Sequence, residues 1–197
     1  MLNAIANPNR SPMLAYFFFH WKLDNVAAAD YERRLRDFHS ALKSAPSEGF
    51  SHSWSVATHG IAWANNGGDS YEDWYIVRNS ADLDPLNDAA ISASRKVPHD
   101  RAAAGTAGGS AGLYRVRGGE MLTLPRFTAW FSKPEGWNYP DFFERLSPMY
   151  ERGAALWQRQ MALGPGEFCL QTNEALRLPE GIEAKFTALR PVFPGAA

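Results

Sequence analysis

Residues 13–23, MLAYFFFHWKL, form an apolar and aromatic segment that contains one histidine. Alternate side chains of a β-strand point to opposite faces, so a solvent-facing side would show polar residues at every second position. Both faces of this segment are apolar, which predicts a central strand that is covered on both sides. His20 shares its face with Tyr16 and Phe18. The histidine is therefore either a hydrogen-bonded core residue or the polar group of a pocket.

The pattern over the rest of the first half predicts two helices and three more strands. Residues 23–46 predict a helix with one apolar stripe, formed by Tyr31, Leu35, Phe38 and Leu42. Residues 80–97 predict a second helix, after which the Gly- and Ala-rich residues 102–112 are expected to form a connector. The predicted strands are FSHSWSVAT (50–58), YEDWYIVR (71–78) and GLYRVRG (112–118). The resulting order is β-α-β-β-α-β.

The second half begins the same pattern again. RFTAWFSK (126–133) predicts an aromatic strand, and residues 138–163 predict a helix that Pro148 kinks or divides, with Ser147 capping the second piece. EFCLQTN (167–173) and IEAKFTALRPVF (182–193) predict two further strands. The pattern predicts neither a second helix nor a fourth strand for this half. Residues 1–12 contain two prolines and predict a loose leader.

A short internal repeat supports a duplication. At an offset of 111 residues, Asp30-Tyr31 and Arg34-Leu35 match Asp141-Phe142 and Arg145-Leu146. The same offset pairs Lys22 with Lys133, at the ends of the two aromatic strands. The agreement between helix and preceding strand favours duplication over chance.

This succession resembles the dimeric α/β-barrel superfamily, whose units are ferredoxin-like. The resemblance implies an α+β fold in which tandem units, residues 13–120 and 121–197, pack their antiparallel sheets face to face. The second unit is expected to be incomplete, and a homodimer is expected. The superfamily includes cofactor-free monooxygenases, lactone isomerases, haem enzymes and members without known activity. Fold alone therefore does not select a function.

Composition excludes several classes of protein. The formal net charge is −1 and neither half is basic, which disfavours nucleic acid as a partner. Cys169 is the only cysteine, so neither an intramolecular disulfide nor a thiolate metal cluster can form. The chain contains no apolar run long enough for a membrane span or a signal peptide. We therefore expect a cytoplasmic protein without a membrane partner.

Histidine supplies the candidate acid–base chemistry, because its ordinary pKa lies near neutrality. All five histidines lie in the first half of the chain. His20 is the predicted acid or base, and Tyr16 and His39 are predicted to orient a substrate in the same pocket. The histidines lack the close spacing of a metal site, so neither a metal nor another cofactor is expected.

Other residues are candidates for ligand binding. They are His52, Trp54, Trp74 and His99. The tryptophans could instead fill the core or an interface, and His52 need not reach His20 in a ferredoxin-like strand order. His99 and Asp100 are expected just after the second helix, beside a glycine-rich segment that could close over a ligand.

Three functions remain open. One is a non-catalytic ligand-binding or stress-associated module. Another is a cofactor-free monooxygenase or isomerase that acts on an apolar or aromatic small molecule. Haem binding is the third, and it is disfavoured because the tandem haem-binding members that the chain resembles use a histidine of the second half. An enzyme predicts an open pocket at His20 with a second polar group in hydrogen-bond reach, whereas a purely structural protein predicts a filled core.

Overall fold

The computed structural model describes residues 13–61, 63–160 and 166–195. The leader predicted for residues 1–12 lies outside the described residues. The strands are β1 (Leu14–Lys22), β2 (Phe50–Thr58), β3 (Ser70–Val77), β4 (Thr106–Gly118), β5 (Phe127–Phe131), β6 (Ala155–Arg159), β7 (Phe168–Thr172), β8 (Thr187–Ala188) and β9 (Arg190–Phe193). The helices are α1 (Ala28–Ser44), α2 (Leu83–Ala90), α3 (Ala93–Ala103) and α4 (Tyr139–Glu151). None of these helices is long and apolar enough to cross a bilayer.

The nine strands form one antiparallel sheet in the order β8-β5-β7-β6-β4-β1-β3-β2-β9. The order β4-β1-β3-β2 of the first unit recurs as β8-β5-β7-β6 in the second, and β4 pairs with β6 across the junction. Only Leu189 separates β8 from β9, and these strands pair with β5 and β2 respectively. The sheet is therefore nearly closed into a barrel, and the predicted α+β fold of two ferredoxin-like units is confirmed.

The second unit is more complete than the sequence pattern predicts. The segment β8–β9 takes the place of its fourth strand, and by pairing with β2 it reaches across to the first unit. The expectation of only three strands in this half is wrong because residues 155–159, predicted as helix, form β6, whereas β8 and β9 lie within the strand predicted over 182–193. The second helix is indeed missing, since residues 173–186 contain no helix. Two units can thus close a barrel although only one has both helices.

The Gly- and Ala-rich residues form a strand and not the connector that their composition predicts. Residues 106–115 of β4 pair with β1 from Lys22 to Leu14. A Cβ at Gly108 would lie 2.6 Å from the Trp21 ring, and one at Gly109 would lie 2.7 Å from the Phe18 ring. The glycines therefore leave room for the large side chains of β1 against the backbone of β4.

The two helices predicted after the first one have other bounds than expected. Residues 80–97 contribute to two helices, α2 and α3, so His99 lies within α3 and not after it. The predicted helix over 138–163 passes Pro148 and ends at Glu151, and Gly153 follows with a φ of +77°. Residues 155–159 form β6, because Leu156 faces the outer core while Trp157 faces the barrel interior. Ser147 does not cap a second helix, as was predicted for a helix divided at Pro148, because its hydroxyl donates a hydrogen bond to the carbonyl of Glu144.

Three apolar cores follow from this arrangement. The barrel interior contains Phe17, Phe19, Trp54, Trp74, Tyr114 and Trp157. A second core lies between the outer face of the first unit and α1, where the whole predicted helix stripe is buried. A third lies under α4 in the second unit. Strand β1 therefore contributes to two cores at once, as its two apolar faces predict.

The barrel interior also holds a carboxyl group. Glu72 of β3 is fully buried, and its two oxygens accept hydrogen bonds from the indole nitrogens of Trp74, at 3.2 Å, and Trp130, at 3.1 Å. Burial raises the pKa of Glu72 to about 7, although the two indole donors oppose the shift. Because this pKa lies above the ordinary value, the neutral group contributes stability at low pH that is lost as the pH rises toward 7.

We expect this loss to be measurable by denaturation. Between about pH 5 and about pH 8, the free energy of unfolding should fall by about 2–3 kcal/mol more in the wild type than in Glu72→Gln, which cannot ionise. Urea unfolding at both pH values, followed by tryptophan fluorescence, measures the difference. Equal pH dependence in the two proteins would contradict the raised pKa.

Candidate functional site

A cavity of about 1020 Å³ lies between the outer face of β1, β3 and β4 and the helices α1, α2 and α3. Aromatic rings contribute much of its wall, from Tyr16, Phe18, Tyr31, Phe38 and Tyr75. His20, Asp73, His99 and Thr106 supply polar groups to the same wall. A concave, largely apolar site with a few convergent polar groups is typical of small-molecule binding.

His20 is held in one orientation at this wall. The residue is 1% exposed, and its Nδ1 lies 2.7 Å from the hydroxyl of Tyr31. The imidazole stacks on Phe18 at 4.8 Å and on Tyr71 at 5.6 Å between ring centres. Its Nε2 lies 3.1 Å from Oδ2 of Asp73, but no hydrogen bond of normal angle joins Nε2 to any described residue. Nε2 is therefore held in a buried ion-pair contact with the carboxylate of Asp73.

Asp73 lies on β3 and is almost completely buried. The Tyr75 hydroxyl donates to Oδ2 at 3.0 Å, and Nε2 of His39 lies 3.4 Å from Oδ1. Burial by itself raises the pKa of Asp73, but the charges of His20 and His39 outweigh it and lower the pKa below its ordinary value. The carboxylate is therefore ionised at neutral pH and attracts a proton to either imidazole.

His39 lies behind the carboxylate and not in the cavity wall. It is fully buried on α1, and its Nδ1 lies 2.7 Å from the hydroxyl of Ser53. Its ring stacks between Tyr75 and Phe193, at 5.2 Å from each. The predicted role of orienting a substrate would thus act through Asp73. That role stays a prediction.

A continuous series of polar side chains runs through this layer, and we call it the polar chain. The Tyr31 hydroxyl lies 2.8 Å from the Thr106 hydroxyl, which in turn donates to the carbonyl of Ala102 at 3.1 Å. The polar chain consists of Thr106, Tyr31, His20, Asp73, His39 and Ser53. Its first four members border the cavity.

Two other predicted residues also border the cavity. Tyr16 lies on the same face of β1 as His20, and burial, together with the negative charge of Asp73, raises its pKa. His99 lies on α3, with its ring 5.4 Å from that of Phe38 and its Nδ1 3.1 Å from Asp100. The structure thus brings Tyr16, His20 and His99 to one cavity.

The remaining predicted residues lie on the opposite face of the sheet. Trp54 and Trp74 stack at 5.6 Å in the barrel interior, and His52 stacks on Trp54 at the same distance. Burial lowers the pKa of His52. None of the three borders the cavity at His20. Their role in ligand binding stays a prediction, and it would require a different site.

Sequence reasoning missed Asp73, Tyr75 and Thr106 and treated Tyr31 only as a core residue. A signal was present in YEDWYIV, where two adjacent carboxyl groups interrupt an apolar strand. Adjacent strand residues face opposite layers, so Glu72 and Asp73 had to be buried in different cores. Thr106 was hidden by the Gly- and Ala-rich composition around it.

In the second unit, apolar residues occupy the positions that correspond to members of the polar chain. The offset of 111 residues relates Phe18 to Ala129, and these residues pair with Asp73 and Leu170 respectively. Leu170 is therefore the counterpart of Asp73. The same offset makes Phe131 the counterpart of His20 and Phe142 that of Tyr31.

The counterpart layer is filled by apolar side chains. Phe131, Phe142 and Phe168 are buried there, with ring centres 4.9–6.3 Å apart. Leu170 is fully buried beside them. The fold therefore does not need a charged group at these positions. The first unit of the chain has ionisable side chains there, and the second unit has apolar ones.

The donor groups do not favour a metal or haem site. Among the described residues, no group of three or more His, Cys, Asp or Glu side chains is arranged to hold a metal ion. The second half of the sequence contains no histidine, and its helix-facing layer is filled by the phenylalanines described above. That layer therefore does not fit a haem held by a histidine of the second half.

Loss of the carboxylate should destabilise the protein. Asp73→Leu leaves two buried imidazoles without their counter-charge, and we expect it to cost about 3 kcal/mol of unfolding free energy. Adding His20→Phe should recover part of this loss, because the pair then matches Leu170 and Phe131. Asp84→Asn, at the exposed rim of the cavity, is the control and should change stability by less than about 0.5 kcal/mol. Urea denaturation measures the free energy of unfolding of the three variants. A value for Asp73→Leu equal to that of the wild type would contradict the role of Asp73 as the counter-charge of the two imidazoles.

Comparison with known proteins identifies the fold. No protein-family model matches the chain, and no curated protein matches its sequence. Similar solved structures include a candidate monooxygenase from Fusobacterium nucleatum subsp. nucleatum ATCC 25586, with 12% identity, a TM-score of 0.61 and coverage of 93% of this chain and 94% of that chain. An anthrone oxidase-like protein has 11% identity, a TM-score of 0.57 and coverage of 95% and 94%.

A variant of chlorite dismutase from Candidatus Nitrospira defluvii is also similar, with 8% identity, a TM-score of 0.51 and coverage of 94% of both chains. Identities this low establish the fold and not the activity. The predicted homodimer and the predicted cytoplasmic location stay predictions. The chain therefore has the dimeric α/β-barrel fold of these structures, in a tandem form in which one chain supplies both units.

Proposed function

We propose that the protein is an enzyme that transfers a proton from an aromatic small molecule to His20, in the manner of a cofactor-free monooxygenase or an isomerase. One observation carries the proposal: the first unit combines a cavity with buried ionisable groups at positions that the second unit fills with phenylalanine and leucine. Burying a charge is costly, so a protein that has an apolar alternative for the same positions retains the charge for a purpose other than stability.

The arrangement suits general base catalysis. A base must lie within hydrogen-bond reach of the proton that it removes and must have a pKa near the working pH. His20 borders the cavity, and the carboxylate of Asp73, 3.1 Å from Nε2, stabilises the imidazolium that forms. The substrate anion then either reacts with dioxygen or accepts a proton at another atom, and these two outcomes distinguish an oxygenase from an isomerase.

The cavity wall indicates the class of substrate. Its side chains include Asp73 and Asp84 but neither lysine nor arginine. A carboxylate or phosphate group would therefore enter without a permanent cation to pair with it. A neutral aromatic molecule with one weakly acidic C–H or O–H group matches the rings and the single base better.

Anthrone is a suitable probe, because one structural neighbour is an anthrone oxidase-like protein and because anthrone is neutral, aromatic and acidic at a ring CH₂ group. Its oxidation consumes one dioxygen and yields anthraquinone and one water. We expect the wild type to accelerate this reaction, and His20→Phe to lower kcat by about 10²–10⁴-fold, the usual contribution of a general base. Anthraquinone absorbance and dioxygen uptake measure the rate.

His59→Phe is the matched control, since His59 is exposed and pairs only with Asp69 at 2.9 Å. It should turn over anthrone at the wild-type rate. If His20→Phe is as active as the wild type, His20 is not the base. If the wild type binds anthrone without turnover, the same substitution should be tested with isomerisable aromatic ketones before the enzyme is abandoned.

A non-catalytic binding module is the second candidate function. The observation that favours it is the packing of His20, which is stacked on both faces and hydrogen-bonded to Tyr31, as a satisfied core histidine would be. A module would bind neutral aromatic molecules in the same cavity, and replacement of His20 would change affinity without abolishing any reaction.

Both candidates predict the same selectivity for ligand charge. We expect 1-naphthol to bind at least about tenfold more tightly than 1-naphthoate at neutral pH, a difference of about 1.4 kcal/mol. The reason is that the naphthoate carboxylate would face Asp73 without a cation. Titration calorimetry measures both affinities. Ala111→Trp, which narrows the cavity, should weaken 1-naphthol binding, and equal binding of the two ligands would contradict the proposed substrate class.

A further inference from the structure

We propose that Tyr31 and Thr106 form a relay that carries protons between His20 and solvent. The inference rests on the proposed function, because an imidazole that is charged by proton transfer away from solvent needs neighbours that can take up and return its second ring proton. His20 is 1% exposed, and Tyr31 is fully buried, whereas Thr106 is only partly buried. The polar chain therefore leads from the buried imidazole toward the surface on one side only, through Tyr31 and Thr106.

The three groups are spaced for proton transfer. Nδ1 of His20 lies 2.7 Å from the Tyr31 oxygen, and that oxygen lies 2.8 Å from the Thr106 oxygen. Each hydroxyl can accept one hydrogen bond while it donates another. Nδ1 serves the relay, whereas Nε2, on the other side of the ring, takes the substrate proton beside the carboxylate of Asp73, 3.1 Å away. The two nitrogens thus have separate tasks.

The transfer leaves no hydroxyl charged. When Nε2 has taken a proton, Nδ1 gives its own proton to the Tyr31 oxygen as the Tyr31 proton passes to the Thr106 oxygen. The Thr106 proton, which points to the Ala102 carbonyl at rest, turns to water and leaves. The imidazole is then neutral, with its proton on Nε2. Nε2 returns this proton to the reduced dioxygen or to the isomerised substrate, Nδ1 regains a proton from water through Thr106 and Tyr31 in the reverse direction, and the complete cycle releases no net proton.

Tyr31 is suited to pass a proton but not to hold a negative charge. Burial raises its pKa well above the ordinary value, although the hydrogen bond with Thr106 opposes the shift. A free tyrosinate is therefore disfavoured, and the two transfers through Tyr31 must occur together. This requirement makes the Thr106 hydroxyl as necessary as that of Tyr31.

The backbone next to Thr106 is shaped for this contact. A Cβ at Gly105 would lie 2.9 Å from Cδ2 of Tyr31, so glycine is what allows the ring to lie against the start of β4. The amide of Leu23 donates to the Gly105 carbonyl at 2.8 Å and fixes the strand in place. In the second unit the counterpart of Tyr31 is Phe142, so packing at this position does not require a hydroxyl.

The decisive experiment needs no substrate. In the full chain labelled with ¹⁵N-histidine, NMR measures how fast the ring N–H proton of His20 exchanges with water. Thr106→Val keeps the shape of the side chain but removes its hydroxyl, and we expect it to slow this exchange by about tenfold or more. Thr106→Ser keeps the hydroxyl and should restore fast exchange. Unchanged exchange in Thr106→Val would overturn the relay.

Tyr31→Phe provides a second, independent test with anthrone. It should lower kcat more than it changes KM, and added imidazole buffer, which can accept the proton directly, should restore part of the rate. A merely structural role of Tyr31 would not produce rescue by buffer. Thermal unfolding of each variant shows whether it is folded, and Phe142 indicates that phenylalanine is tolerated in this environment.

The outcomes separate the relay from the proposed function. Slow exchange in Thr106→Val together with no turnover of any probe would keep the relay and reject the enzyme. Turnover that depends on His20, with the same exchange rate and kcat in wild type, Thr106→Val and Tyr31→Phe, would keep the enzyme and reject the relay.

Discussion

Strand β1 is buried on both faces, and this constraint determines how the rest of the molecule is arranged. One face requires a second sheet, which the duplicated unit supplies, and the other requires helices. The interior face is satisfied by packed rings such as Phe17 and Phe19. The outer face carries Tyr16 and His20, and the layer above it holds the cavity. The proposed binding site therefore lies in the layer between sheet and helices, and the aromatic rings of β1 that face the barrel interior contribute to the core.

Because the fold contains two similar units, one unit can bury ionisable groups while the other has an apolar core. The two units share strand order and helix register, yet only the first retains ionisable groups beneath its helix. The second unit contributes in another way, because its last strand pairs with β2 and brings Phe193 onto the ring of His39, while Arg190 binds Glu32 at 2.6 Å. Glu32 in turn accepts a hydrogen bond from Tyr71, which stacks on His20. The apolar unit therefore supports the polar one, and separating them would disturb both histidines.

The sequence predicts the fold better than the site, for physical reasons. Periodicity reveals β1, the stripe of α1 and the repeat, because these depend on which residues avoid water. Periodicity does not predict the strand within residues 102–112, because the glycines there make room for aromatic rings of the neighbouring strand. It also does not predict β6, because this short alternating segment directly follows a helix. His20 could be found because a histidine in an aromatic strand is conspicuous. Asp73 could be found only by assigning each carboxyl group of β3 to a face, and Thr106 depends on a contact with Tyr31 that is 75 residues distant in the chain.

Glu72 and Asp73 show how far environment, and not residue type, decides the chemistry. They are adjacent carboxyl groups on one strand, and both are removed from water. Glu72 meets two indole N–H groups, which donate hydrogen bonds but carry no charge, so burial prevails and its pKa rises to about 7. Asp73 meets two imidazoles, which can become cations, so its pKa falls instead. Only the second arrangement provides a permanent negative charge that can stabilise a newly protonated base. The strand therefore places a carboxyl group that is neutral over much of the pH range inside the barrel and an ionised one beside the cavity, and this difference favours the outer layer for the proposed acid–base chemistry.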